Sequence, residues 1–477
     1  MAERARAVLW VALLISLSVT SFPFFPGGVG GATLVRPLAV YPLLGLLLLV
    51  TLPRLWKARL PRAAQPLLVF VLTVLGSTLF AAVSLQTGAR GVSVQARALR
   101  SLATLGLGLA LYFTVTLYPQ CETDLRRSLR WLYAGMALAL AWGSLQVVYI
   151  LHFEARYFDL LNRLQRLIST RPLFERRISG LTFEPNWFAE QIVFLWMPWL
   201  LAAALTGRSA FRWRWRGLMV EHGLIAWGAA VLLFTFSRLG LGGLALLAMV
   251  AAGLVIPWGK VRHLRGRALL LWGGGALLGG ALALGLVFTF GQRNQYFSRV
   301  WRYWTAPEER GGQSYLEYIA VGQRVTYWET AYRMYEGAPW LGVGLGNYAF
   351  HFAEYLPYRP WYRQPEVVRQ LTPLQGNLRL ITPKNLFVRL LAETGIVGMA
   401  FFVTFLGLLL MGAMRLWRAG GAARFWGAGG LLGLAIFAFA ALSYDSLALP
   451  NMWVLFGLLS AAGHLTPDPS HLSPRER

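Results

Sequence analysis

Residues 322–398 carry GQRVTYW (322–328), PWLGVGLGNY (339–348) and TPKNLFVRLLAETGIVG (382–398), a polar segment with Arg and Gly that runs straight into a hydrophobic helix. Elsewhere the chain is largely repetitive in Leu, Ala, Val, Gly and Phe. A charged side chain at the centre of a membrane helix costs roughly 2.5–3.5 kcal/mol on insertion scales, so polar groups held against hydrocarbon usually have a purpose. Function is expected in this stretch, with Lys384 beside the membrane as its most conspicuous residue.

Working outward, 56% of the 477 residues are hydrophobic, only 14% are charged, and the mean hydropathy is +0.51. That is too apolar for a soluble domain of this size, and it predicts an all-α polytopic membrane protein. The formal charge of +25 is nearly all Arg. In a soluble protein it would suggest nucleic acid; here the excess of basic residues in cytoplasmic loops is the simpler cause, and no nucleic-acid partner is expected. Cys121 is the single cysteine, which excludes an intramolecular disulfide and any Cys-based metal site, and the six His residues lack ligand spacing. No metal and no cofactor are expected. The start, MAERARAVLWVALLISLSVTSF, imitates a signal peptide, but no clean small-x-small cleavage site follows, so an uncleaved first helix is expected.

Apolar runs long enough to span fall near 7–25, 33–52, 65–85, 99–118, 129–151, 187–206, 219–236, 239–257, 268–290, 386–413, 425–443 and 449–464, about twelve helices. The basic loops 53–62, 207–217, 259–267 and 415–424 then fall on one side, which the positive-inside rule makes cytoplasmic, together with both termini. The organisation expected is helices one to five over 1–151, an outer amphipathic segment at 152–186, helices six to nine over 187–290, a long helical outer loop at 291–385, helices ten to twelve over 386–464, and a cytoplasmic tail at 465–477.

Two outward loops break the charge rule. Residues 152–186 carry Arg156, Arg163, Arg166, Arg171, Arg176 and Arg177, and 291–385 carries still more basic residues. Anionic lipid headgroups or a phosphorylated substrate would require Arg there; the plainer account is neutralisation by Glu154, Asp159, Glu175, Glu308, Glu309 and Glu317. Phe158, Leu161, Leu164 and Leu167 recur at helical spacing opposite Arg, as in a helix lying in the membrane interface.

Four clusters meet on the outer face in this topology. RRISGLTFEPNWF (176–188) enters the sixth helix, where Pro185 and Asn186 give an ordered start that holds Arg177 near the interface. FTFSRLGLGG (234–243) joins two helices with almost no loop, putting Ser237 and Arg238 at the tip, where a guanidinium needs water, a carboxylate or a phosphate. The third cluster supplies Arg324 and a turn with Gly342, Gly344 and Gly346; that Gly pattern follows no strand, so a plain turn is the better reading. In the fourth, Lys384 and Asn385 stand at the start of a helix, a position that favours anions, while Arg389 and Glu393 at i,i+4 read as a structural pair.

RISGLTFEPNWFA, TFSRLGLGGL, the Arg324-to-Asn347 segment and NLFVRLLAETGIVG, in this order and with a long loop before the last, resemble the O-antigen ligase and O-antigen polymerase family over roughly residues 170–400. The resemblance implies a C-type (GT-C-like) glycosyltransferase of the bacterial inner membrane. Such an enzyme takes a glycan from undecaprenyl pyrophosphate and passes it to an acceptor sugar or lipid-linked acceptor on the periplasmic side, without a metal or nucleotide sugar. Membrane lipids and a polysaccharide chain-length regulator or flippase are the further partners it implies. Arg177 and Arg238 would bind the pyrophosphate, with Arg324 as a third, and Glu184, Asn186, Gly344, Asn347, His351 and Asn385 are substrate-binding candidates. The family usually has His where this chain has Lys384, so Lys384 is either a base made neutral by its surroundings or another phosphate clamp. In the clamp reading, His351, Glu184 or Asp445 handles the proton, or no protein base is needed. The competing function is a transporter or flippase, which predicts charged or broken helices near the midplane and two related halves.

Overall fold

The computed structural model describes residues 2–24, 35–58, 60–84, 88, 90–256, 285, 289, 291–292, 295–312, 314–319, 321–358, 364–372 and 380–465. The expected ninth span at 268–290 falls almost wholly outside them, as do the loop 259–267 and most of the tail. The helices, in chain order, are α1 (Ala2–Ser16), α2 (Val40–Leu55), α3 (Ala64–Ser84), α4 (Val94–Leu117), α5 (Glu122–Leu151) and α6 (Ala155–Ile168). They continue with α7 (Pro185–Thr206), α8 (Val220–Leu233), α9 (Arg238–Val255), α10 (Gln295–Thr305), α11 (Gly322–Gly337) and α12 (Pro365–Leu371). Three more close the chain: α13 (Leu386–Ala419), α14 (Ala423–Ala440) and α15 (Pro450–Leu465). Seven of them, α3, α4, α5, α7, α9, α13 and α14, are long and apolar enough to cross a membrane, and the protein is an all-α polytopic membrane protein. A two-residue hairpin, Arg214–Trp215 against Leu218–Met219, is the one sheet among the described residues.

Each expected span outside 268–290 corresponds to a helix, because an uncharged apolar run can satisfy its backbone in lipid only by coiling on itself. Helix α3 has no charge at all: Leu67, Phe70, Val74 and Ala81 face the protein, while Leu72, Leu79, Phe80 and Val83 point outward, exposed. A helix apolar on both faces suits a position between protein and hydrocarbon. At the centre, α13, α14 and α15 pack on α3, α4 and α7. The Phe437 and Phe456 rings lie 5.0 Å apart and Phe405 and Phe456 5.2 Å apart, edge to face. Small residues permit this closeness: a Cβ on Gly108 would sit 2.3 Å from Trp453, and one on Gly429 would sit 2.4 Å from Trp199.

Two features depart from the uninterrupted spans expected. Helix α1 stops at Ser16, although the apolar run continues to residue 25. The hydroxyls of Ser16 and Ser18 turn back to the carbonyls of Leu13 and Ile15, and the extended chain that follows bonds to 36–38 through Phe22 N–H to Arg36 O (2.8 Å) and Leu38 N–H to Val19 O (3.1 Å). Ser18, Thr20 and Ser21 are buried in this stretch, and the Thr20 hydroxyl accepts from Phe183 N–H at 3.2 Å. The second departure is a break inside α13 at Gly395 (φ 64°, ψ −170°). It brings the Gly-rich segment 339–348 against the membrane helix.

Candidate active site at the loop ends

The break in α13 releases backbone groups from the helical ladder, and PWLGVGLGNY takes them up. Val343 N–H donates to Ala392 O (3.0 Å) and Gly344 N–H to Glu393 O (2.9 Å); in return Ile396 N–H donates to Pro339 O (2.8 Å) and Val397 N–H to Trp340 O (3.3 Å). Non-helical backbone at such a place is tolerated where freed groups find protein partners, as these four do. Glycine is required: a Cβ on Gly395 would lie 2.2 Å from Trp340 O, and one on Gly342 would lie 2.5 Å from Ala392 O, both at positive φ. Ser77 of α3 clamps the junction from behind, its hydroxyl donating to Leu341 O at 2.6 Å and to Glu393 O at 3.1 Å. Gly344 and Asn347 belong to this lock, with Asn347 fully buried and its amide donating to Val343 O at 2.9 Å. The Arg389–Glu393 pair lies just before the break at 2.9 Å, buried, and the Arg389 guanidinium also donates to Asp445 O at 2.6 Å.

At the other end of the same turns, Asn385 is the N-cap of α13: its side-chain oxygen accepts from Phe387 N–H (3.0 Å) and Val388 N–H (3.2 Å). Lys384 before it has φ 54°, a conformation rare for a residue with a side chain, held by its N–H donating to the Asp445 carboxylate at 2.7 Å. Its ammonium pairs with Glu366 of α12 and stands 5.5 Å from the centroid of the Tyr327 ring. An ion pair and a cation–π contact both involve the ammonium form. Arg324, one turn before Tyr327 on α11, donates to the Ser443 hydroxyl at 3.0 Å. Thus Arg324 and Lys384 are tied to Ser443 and Asp445, two residues apart in the turn after α14.

Arg177 and Arg238 are joined through a second turn, 234–237, which links α8 to α9. Arg177 donates from Nε to Thr235 O at 2.8 Å and from Nη2 to Asn186 Oδ1 at 2.9 Å, and Ile178 N–H donates to Phe234 O at 3.2 Å. Phe236 takes φ 46° to make the turn, Ser237 caps α9 by accepting from Gly240 N–H at 3.3 Å, and Arg238 is the first helical residue. From there its Nη1 reaches Ile319 O at 3.1 Å, five residues before Arg324. The three arginines are half-buried, each with part of its guanidinium committed to a protein oxygen that fixes its direction. Arg177 and Arg238 thus belong to one hydrogen-bonded set of loops and Arg324 and Lys384 to another, and only five residues of chain separate Ile319 of the first from Arg324 of the second.

The other candidates lie around these loops. Glu184 is the N-cap residue of α7, which has Pro185 at its first position, and approaches Arg171 at 3.7 Å. His351 ends a one-turn helix, Tyr348–His351, with Nδ1 3.2 Å from Glu354 and its ring beside Tyr355. Sequence reasoning passed over Glu366 and Ser443. Pro365 and Glu366 do mark a helix start, but nothing in the local pattern names Lys384 as the partner, eighteen residues away. Tyr348 and Tyr327 form the small core beneath them, and burial pushes both phenols above the ordinary tyrosine range.

Guanidinium groups fixed by protein oxygens and the N-terminus of α13 thus stand at the ends of these loops, groups of the kind that suit an anion. Residues 223–403 match the family model described as O-antigen ligase, and that match supports an O-antigen ligase or polymerase assignment for this part of the chain. The match takes in Arg238, Arg324, Lys384 and Glu366 and begins after Arg177, so it starts later than the resemblance over 170–400. No curated protein matches the chain.

Proposed function

We propose that the protein transfers a glycan from undecaprenyl pyrophosphate to an acceptor sugar on the periplasmic side of the bacterial inner membrane, as a polysaccharide polymerase or an O-antigen ligase of the C-type class. The observation that carries this reading is the linkage of Arg177, Arg238, Arg324 and Lys384 through the two short turns 234–237 and 441–445. In such a transfer the acceptor oxygen attacks the anomeric carbon, the bond from that carbon to the phosphate oxygen breaks, and the electron pair leaves on the pyrophosphate. The departure is fast only where the growing negative charge is met by donors already in position, and forked guanidinium groups are well suited to that task. Arg177 and Arg238 hold the pyrophosphate in this scheme, with Arg324 as the third donor. Lys384 adds positive charge in this scheme and is not assigned as the base, a choice supported by its pairing with the Glu366 carboxylate. The reaction needs no metal in this scheme.

The reading is tested with purified protein in detergent and undecaprenyl-pyrophosphate oligosaccharides. Longer lipid-linked chains without added acceptor identify a polymerase; product only with a lipid A core or other terminal acceptor identifies a ligase. Arg238→Ala lowers either product by about 10²- to 10³-fold. Absence of product together with absence of donor binding would overturn the enzyme and favour a transporter.

A further inference from the structure

We propose that Glu366 is the base that takes the proton from the acceptor hydroxyl, and that Lys384 is the positioning residue that holds its carboxylate; this rests on the glycosyl-transfer reading above. Transfer to a hydroxyl releases a proton, and the residue at the head of α13, Lys384, is engaged as an ammonium and has no lone pair to receive it. Its partner does. Glu366 lies in the first turn of α12, and its side chain is 28% exposed, so it is reachable by a substrate yet held.

Its placement is built by the surrounding residues. Val367, the next residue, is fully buried in the core formed with Tyr327, Ala331 and Ile381. Gln364, the N-cap residue of α12, accepts from the Thr326 hydroxyl at 3.0 Å, which ties α12 to α11. Arg324 and Tyr327 are spaced i,i+3 on α11 and so share one of its faces, and the Tyr327 ring lies under the Lys384 ammonium. The carboxylate thus belongs to the same wall as Arg324, one of the three arginines given to the leaving pyrophosphate.

The other carboxylates near these loops have different employment. Asp445 accepts the Lys384 N–H and is buried; Glu393 is buried against Arg389; Glu184 faces Arg171; Glu190, inside α7, is buried and accepts from Asn451 at 3.3 Å. His351 contacts Glu354 through Nδ1. In the step assigned to Glu366, the acceptor O–H bond breaks and its proton passes to the carboxylate. The oxygen lone pair forms the new bond to the anomeric carbon, the carbon–phosphate oxygen bond breaks, and the protonated Glu366 then returns its proton to water.

The test uses full-length protein and undecaprenyl-pyrophosphate oligosaccharide as donor. Glu366→Gln is expected to lower kcat by about 10²- to 10⁴-fold, the usual share of a general base, with donor KM little changed. Glu366→Asp recovers part of the activity, and formate restores part of it to Glu366→Ala, which a merely structural carboxylate would not allow. A second comparison guards against misfolding: if Glu366 served only to neutralise Lys384, the double variant Glu366→Gln with Lys384→Met would regain transfer, whereas a lost base leaves it inactive. Lys384→Met alone retains more activity than Glu366→Gln. Wild-type transfer with Glu366→Gln equally active, or with the double variant restored, overturns the base and leaves the transferase standing. Wild-type protein that transfers no glycan overturns both.

Discussion

Replacing Gly395 by Ala should separate the Gly-rich segment from the membrane helix. The residue has φ 64° and ψ −170°, a region open almost only to glycine, and occupying it with a side chain costs about 1–3 kcal/mol. The added carbon would also lie 2.2 Å from Trp340 O and 2.3 Å from its carbonyl carbon, so the backbone must move apart. Four hydrogen bonds cross the junction, from Val343, Gly344, Ile396 and Val397, each contributing about 0.5–1.5 kcal/mol. Losing them with the strain amounts to about 3–9 kcal/mol, comparable with a whole folding free energy of about 5–15 kcal/mol. Heating in detergent followed by fluorescence-detected gel filtration measures the effect, with Gly407→Ala in the same helix as control because nothing lies within 4 Å of its added carbon. Gly407→Ala should be neutral or up to about 1 kcal/mol stabilising. A Gly395→Ala protein that melts within about 2 °C of wild type would refute the lock, since even 1 kcal/mol moves a melting point by a few degrees in domains of ordinary size.

Glu393→Gln leaves Arg389 buried without its charge partner and should cost about 3–5 kcal/mol in the same melting assay, while Glu393→Gln with Arg389→Met recovers much of it. Arg238→Ala and Arg177→Ala should each lower transfer by about 10²- to 10³-fold, and each also loses about 0.5–1.5 kcal/mol of stability per hydrogen bond removed, far too little to account for the loss of rate. Lys384→Gly relieves a left-handed residue, worth about 1–2 kcal/mol, and loses a half-exposed ion pair worth about 0–1 kcal/mol, so stability holds or rises while transfer falls. For Tyr327, raised by burial and then by the charge of Glu366, stability is full below the unfolded value near pH 10 and declines as pH climbs towards the folded one. Tyr327→Phe should reduce the slope of stability against pH above 10 by about 1.4 kcal/mol per unit, read from denaturation at stepped alkaline pH.

The residues alone were enough for the class, and they put the candidate site at the loop ends. Apolar runs without charge can do little but form membrane helices, and the cost of Arg and Lys beside lipid marked 176–188, 234–243, 322–348 and 382–398 as stretches with a purpose. The i,i+4 spacing of Arg389 and Glu393 was likewise legible as a pair, and Pro185 and Asn385 as helix starts, because those interactions are local. Other relations join residues far apart in the chain. Arg177 finds Thr235, Arg324 finds Ser443, and Lys384 finds both Asp445 and Glu366, through side chains whose partners no nearby pattern specifies. The glycines of 342–346 read as a plain turn, since their use depends on a helix break some fifty residues later that no local propensity announces. Local sequence determined which backbone groups could be satisfied within a helix; only the packing of α11, α12 and α13 decided where the unsatisfied ones, and the charges beside them, found their partners.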